Sequence, residues 1–111
     1  MATFDHVISI ALKLPETEVS TSYNTPAIKV GKKLLARLRE DGVSLAIRAT
    51  FEARSALPLL EPETFSIPAH YANTDMVVIQ LPTVKLEELE RLIFEAWQIV
   101  APKKLKEKNH V

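Results

Sequence analysis

Cysteine is absent from this chain, and glycine occurs only twice among its 111 residues. The first absence excludes disulfides, thiolate nucleophiles and cysteine-ligated zinc together, and it suits a reducing compartment. The second excludes a glycine-rich phosphate cradle, because Gly31 and Gly42 are isolated and each falls where a hairpin turn is expected. No apolar run approaches the ~20 residues of a membrane span. The opening Met1-Ala2-Thr3-Phe4-Asp5-His6 lacks the basic and apolar regions of a secretory signal. The cytoplasm is therefore the expected location, with no membrane partner. Net charge is missing too, with 14 basic and 14 acidic residues. A pI near 6.8 lies well under the value of about 9 that marks an obvious nucleic-acid binder. Helix-turn-helix, zinc-finger and aromatic RNA-binding signatures do not occur either.

What is present is a core. The length fits one domain, and an apolar content of 47% is enough to bury a continuous interior. We place that domain at residues 1–102 and read 103–111 as a basic tail carrying Lys103, Lys104, Lys106 and Lys108. The zero net charge conceals an uneven distribution. Between Lys29 and Arg54 lie seven basic and three acidic residues, and between Glu61 and Glu95 two basic and seven acidic. One basic and one acidic face can coexist on such a molecule.

The period of the apolar residues sets the elements. Phe4, Val7, Ile8, Ala11 and Leu12 recur at helical spacing, with Thr3 as N-cap, and Pro15 ends the segment. From Glu18 to Arg48 the period is two. A short strand is expected at Val19–Ser22 and another at Ala27–Val30. A third places Leu34, Ala36 and Leu38 on one face, with Leu35, Arg37 and Arg39 on the other. The next puts Val43, Leu45 and Ile47 inward. Asp41-Gly42 predicts a two-residue type I′ hairpin with positive φ at both positions. Thr50 caps a helix over Phe51–Leu60 that Pro58 should shorten or distort, and Phe65–Ile67 reads as a short strand. Met76–Leu81 is nearly all apolar, as expected of a central strand covered on both faces. Leu86, Leu89, Leu92, Ile93, Ala96, Trp97 and Val100 form the stripe of a last helix, closed by Pro102.

The fold class implied is α+β: an antiparallel sheet with helices packed on one face, the N- and C-terminal helices flanking a strand meander. The helices should cover the face carrying Leu34, Leu38, Leu45 and Ile47. The opposite face is then expected to hold Lys29, Arg37, Arg39 and Arg48 toward solvent.

Several strings carry a resemblance. They are Leu14-Pro15-Glu16-Thr17-Glu18, then Thr21-Ser22-Tyr23-Asn24-Thr25-Pro26-Ala27-Ile28-Lys29-Val30-Gly31-Lys32-Lys33-Leu34. Ala36-Arg37-Leu38, Pro68-Ala69-His70-Tyr71, Ala96-Trp97 and Ala101-Pro102-Lys103 follow. In this order, over nearly the whole chain, they resemble the MmcQ/YjbR family. The loop after His70-Tyr71 departs from that family, with Ala72-Asn73-Thr74 where a glycine is usual. The resemblance implies an α+β fold shared with the bacterial frataxin-like superfamily. Its members are commonly described as DNA-binding proteins, and it does not imply an enzyme.

Phosphates need several cations on a rigid surface, and a sheet spaces alternate residues about 7 Å apart, close to the phosphate repeat. Lys29, Lys33, Arg37, Arg39 and Arg48 are the candidate nucleic-acid contacts, with Tyr23 as the nearby aromatic for stacking. The plainer role for the same cations is to solvate a sheet face and discourage edge pairing. His70 and Asp75 could form a general-base pair in a loop, but no serine or cysteine nucleophile accompanies them. Structural packing is the competing role for His70 and Tyr71. His6, His70 and His110 lack metal-ligand spacing, and Glu87, Glu88, Glu90 and Glu95 fit a solvated helix face. The expectation is a binding protein without cofactor, metal or catalytic residues, its partner DNA. The alternative is a protein-interaction module using the acidic last helix or a sheet edge.

Overall fold

Thr3 and His6 close a reciprocal cap at the start of helix α1, Phe4–Ala11. The Thr3 hydroxyl accepts from the His6 backbone N–H, and the Thr3 N–H donates to His6 Nδ1 at 3.0 Å. Two donors that the helix leaves without partners are thereby satisfied. A computed structural model describes residues 2–102 of the chain, so the basic tail lies outside the described residues. After α1 come strands β1 (Thr17–Ser22), β2 (Thr25–Val30), β3 (Lys33–Leu38) and β4 (Ser44–Arg48). Helix α2 (Phe51–Leu60) and strand β5 (Phe65–Ser66) follow, then a 3₁₀ turn at Ala69–Tyr71, strand β6 (Met76–Gln80) and helix α3 (Leu86–Val100). The strands form one antiparallel sheet in the order β1-β2-β3-β4-β6-β5. The α+β class is the one expected, and helix α2 runs through Pro58 to Leu60.

The turns differ from expectation in an informative way. Positive φ at two successive positions occurs at Tyr23 (52°) and Asn24 (65°), which join paired Ser22 and Thr25 in a type I′ hairpin. Asp41-Gly42 is not such a turn, because only Gly42 has positive φ (74°). The Gly42 N–H donates to the Arg39 carbonyl and the Arg39 N–H to the Ser44 carbonyl, so the loop is longer. Its fold comes from Asp41, whose carboxylate accepts from the Val43 N–H (3.0 Å), the Ser44 N–H (2.9 Å) and the Ser44 hydroxyl (2.7 Å). An aspartate that satisfies three donors locally makes a second positive-φ residue unnecessary.

The helices cover one face of the sheet. Val7 and Ala11 of α1, Leu57 of α2 and the Leu89, Leu92, Ile93, Ala96, Trp97 and Val100 stripe of α3 pack on Ile28, Leu35, Ala36, Leu45, Ile47, Val77 and Ile79. Trp97 also donates its indole N–H to the Pro15 carbonyl at 2.9 Å, tying α3 to the connection after α1. A bulge between Ile28 and Lys29 resets the alternation in β3. Ile28 pairs with Ala36 and Lys29 with Leu34, which leaves Leu35 as the extra residue. Leu35 is consequently buried with the helices, while Leu34 turns to the other face, the reverse of the strict two-residue period.

Two carboxylates should give opposite pH signatures. Ser44's hydroxyl holds Asp41 below the usual carboxylate range, with the two backbone donors adding to it. Its contribution is present above the unfolded pKa and fades as pH falls through the folded one. Burial pushes Glu88 up, aided by the nearby Glu61 carboxylate. Glu88 therefore favours the fold below its unfolded pKa, an advantage lost as pH rises through its folded value. Asp41→Ala should lower stability at pH 7 by about 1–2 kcal/mol. Glu88→Gln should raise Tm at pH 7 and give no gain in acid; thermal melts across pH 3–8 check both.

Candidate functional site

The sheet face away from the helices is covered. Across the middle strands it presents Ala46 and Val78, both fully buried, flanked by Met76 and Leu34. The cover is the segment between β5 and β6, which lays Ile67 and Tyr71 on these residues. The small side chain of Ala46 leaves room for it. A face expected to be wet is thus a second, smaller core.

Arginine holds this cover in place. Arg54, from α2, donates to the Met76 carbonyl at 3.0 Å and to the Tyr71 carbonyl at 3.1 Å. Arg48 donates to both Asp75 carboxylate oxygens, at 3.0 and 3.1 Å, and to the Leu34 carbonyl. Arg37, only 5% exposed, lies beneath Tyr71. Its three nitrogens donate to the Tyr71 hydroxyl (3.0 Å), Glu40 (2.8 Å) and the Thr25 hydroxyl (3.2 Å). Burial opposes the charge on Arg37, but the bonds to Glu40 and Tyr71 outweigh it and raise its already high pKa further. Arg37 in turn lowers the pKa of the exposed Glu40.

The five candidate cations therefore separate. Arg37 is on the expected face but buried, because its guanidinium is the underside of the Tyr71 cover. Arg48 is half-buried, and its guanidinium is ion-paired with Asp75. Lys33 pairs with Val30, whose side chain belongs to the helix side, and cross-strand partners share a face; it is exposed at the rim of the opposite face. Lys29 and Arg39 remain half-exposed on the outer face, and among the described residues neither has an ion-pair partner within 4 Å.

Arg39 contributes to a different constellation. Its guanidinium lies 5.9 Å from the centre of the Tyr71 ring, and His70 meets the same ring edge-on at 4.9 Å. Tyr23, at the tip of the β1–β2 hairpin, is 82% exposed, with the Arg37 guanidinium 5.4 Å from its ring centre. Tyr23, Arg37, Arg39, Glu40, His70 and Tyr71 line one open cleft of about 400 Å³. The cleft can take a flat ring against Tyr23 and an anion at Arg39, the pairing of contacts that single nucleic-acid strands use. An L-residue with a Cβ at positive φ costs roughly 1–2 kcal/mol, and exposed Tyr23 recovers little of it by burial. A strained, exposed aromatic beside cations is a feature whose explanation is sought in binding.

The His70–Asp75 pairing weighed as a general base is not formed, and Asp75 is held by Arg48. Among the described residues no three His, Asp or Glu side chains converge as a metal group, and no helix is long and apolar enough to cross a membrane. A second groove of about 380 Å³ runs between α1 and α3, with Ile10, Leu14 and Phe94 among its lining and Glu87, Glu90, Lys13 and Arg91 around it.

Tyr71→Phe should leave one Arg37 donor without its acceptor and cost about 1–3 kcal/mol. Arg37→Met combined with Tyr71→Phe should cost less than the sum of the two single changes. Urea denaturation of the four proteins measures this coupling.

The YjbR family model matches residues 12–99. The uncharacterized proteins Rv2570 of Mycobacterium tuberculosis (strain ATCC 25618 / H37Rv) and Mb2600 of Mycobacterium bovis are each 32% identical over 123 aligned positions, covering 95% of this chain and 93% of theirs. The crystal structure of Deinococcus radiodurans protein DR2400, with the domain called DUF419, superposes with a TM-score of 0.80 over 97% of this chain and 88% of that one. At 21% identity it is similar in fold. With the matched span taking in every strand, helix α2 and all but the last residue of α3, the chain belongs to the YjbR family.

Proposed function

We propose that this protein binds nucleic acid, DNA in the first instance, without strong sequence preference and without catalysing a reaction. The observation that carries the reading is the cleft in which exposed Tyr23 stands with Arg39 and His70 over the buried Arg37–Tyr71 pair. Arg39 sits at one end of the outer face, and Lys29 lies toward the other, two residues along β2 from the Ala27 that pairs with Arg37. Lys33, at the rim of the opposite face, stands apart from this surface. Arg37 and Arg48 serve the surface by positioning it, since their charges are already met by Tyr71, Glu40 and Asp75.

The groove between α1 and α3 favours a second reading. Its half-exposed Phe94 and its glutamates suit a basic, apolar segment of a protein partner.

Fluorescence anisotropy of labelled DNA against the full chain at low and moderate salt separates the two. With only Lys29 and Arg39 engaged, log Kd should rise against log salt with a slope of about 2. Lys29→Gln with Arg39→Gln should abolish binding while leaving the melting curve nearly intact; glutamate at 29 is avoided because Glu18 lies directly across the strand pair. Arg37→Glu is not a usable probe, because it would break the buried network and read out as unfolding. Absence of binding at tens of micromolar protein in low salt would overturn the reading and turn attention to the α1–α3 groove.

A further inference from the structure

The nucleic-acid reading leaves open which form of nucleic acid the cleft takes, and the hairpin tip bears on that question. Tyr23 and Asn24 occupy the two positive-φ positions of the β1–β2 turn. Such positions favour glycine, asparagine and aspartate, so Asn24 is unremarkable and Tyr23 is the exception. Its ring does not fill a core, being 82% exposed. The turn thus carries a large aromatic at a strained position with little burial to compensate. The ring is nonetheless set relative to the site, since the Arg37 guanidinium lies 5.4 Å from its centre. Arg37 is itself fixed by the Tyr71 hydroxyl, Glu40 and Thr25. A buried, three-times-bonded cation against the ring leaves the ring's solvent side as a flat platform.

The charge supply points the same way. Duplex recognition without a groove-reading element rests on many phosphate contacts. On this face Arg37, Arg48 and Arg54 are tied to the loop that covers the sheet. Arg39 and Lys29 are left on the face, while Lys33 lies at the rim of the opposite one. That number is small for a duplex surface and adequate for a short single strand, where stacking supplies much of the binding. A cleft of about 400 Å³ lies within the range that holds a small planar ligand.

The geometry points to single-stranded nucleic acid as the ligand: one unpaired base stacks on the solvent side of Tyr23, and a phosphate beside it is held by Arg39. The inference rests on the nucleic-acid reading and narrows it. The same chemistry exists in a free nucleotide, but a strand adds further phosphates that Lys29 can meet.

The test is anisotropy of a fluorescein-labelled oligothymidylate of about a dozen nucleotides, against the same oligonucleotide annealed to its complement. Tyr23→Phe, Tyr23→Leu and Tyr23→Asn are compared with the unaltered chain. The single strand should bind more tightly than the duplex. Tyr23→Phe should keep that preference, and Tyr23→Leu and Tyr23→Asn should weaken single-strand binding by about 5- to 100-fold. Tyr23→Asn should melt no lower than the unaltered protein, because asparagine tolerates the positive φ. Equal or tighter duplex binding, or an unchanged affinity in Tyr23→Leu, overturns the inference while the broader reading stands. Thymidine monophosphate competing as well as the oligonucleotide, per molecule, overturns the strand and makes the cleft a nucleotide pocket. Absence of binding to either DNA overturns both readings together.

Discussion

A guanidinium buried beneath a tyrosine is the constraint on which the outer half of this domain depends. Arg37 can lie at 5% exposure only because each of its nitrogens has an acceptor, and those acceptors come from three separate places in the chain. Thr25 opens β2, Glu40 lies in the β3–β4 loop, and Tyr71 ends the 3₁₀ turn. Satisfying the charge therefore fixes the hairpin, the loop and the cover relative to one another. Removing one acceptor leaves a desolvated donor, which costs more than the bond gained when all are present. The apolar contacts of Tyr71 with Ala46 and Val78 and the polar contact with Arg37 are thus two aspects of one packing arrangement.

The same arrangement explains why the helix side and the outer side differ in kind. On the helix side, three helices bury a broad apolar surface and hold the sheet by area alone. On the outer side the apolar patch is small, and the loop over it has few residues to contribute. Arginines from β3, β4 and α2 supply what area cannot, each bonding to the loop or its flanks. Charge-assisted bonds of fixed geometry suit this task, because arginine's planar fork loses little freedom on binding.

Much of the fold was legible because its signals are local. The helical stripe from Leu86 to Val100 and the alternation in β2 and β4 reported their elements directly. The nearly all-apolar run Met76–Leu81 reported a strand covered on both sides, and that run already implied something over the outer face. The remainder depends on pairing. The bulge that sends Leu35 inward and Leu34 outward arises between two strands, and neither strand's own period contains it. Asp41-Gly42 resembled a type I′ turn because the dipeptide is common there, but Asp41's side-chain bonds select a longer loop. Tyr23-Asn24 has no glycine and gave no turn signal of that kind. YjbR membership was readable from strings such as Pro68-Ala69-His70-Tyr71, which the structure shows to be the cover itself.

Counting charge along the chain overstated the basic surface for a physical reason. A run rich in arginine and lysine predicts a cationic face only if those side chains face water, and arginine is the cation best suited to burial. Of the candidates, Arg37 is buried and Arg48 is half-buried, both drawn into bonds with tyrosine, carboxylates and a backbone carbonyl, and the two lysines and Arg39 are left at least partly exposed without such partners. What distinguishes the surface is then arrangement more than amount. The buried guanidinium that organises the cover also lies against the ring of Tyr23, so one residue links the stability of the outer layer to the shape of its cleft. A cleft set by a fully satisfied network keeps its geometry when empty, and a preformed site loses less on binding than one that must be assembled.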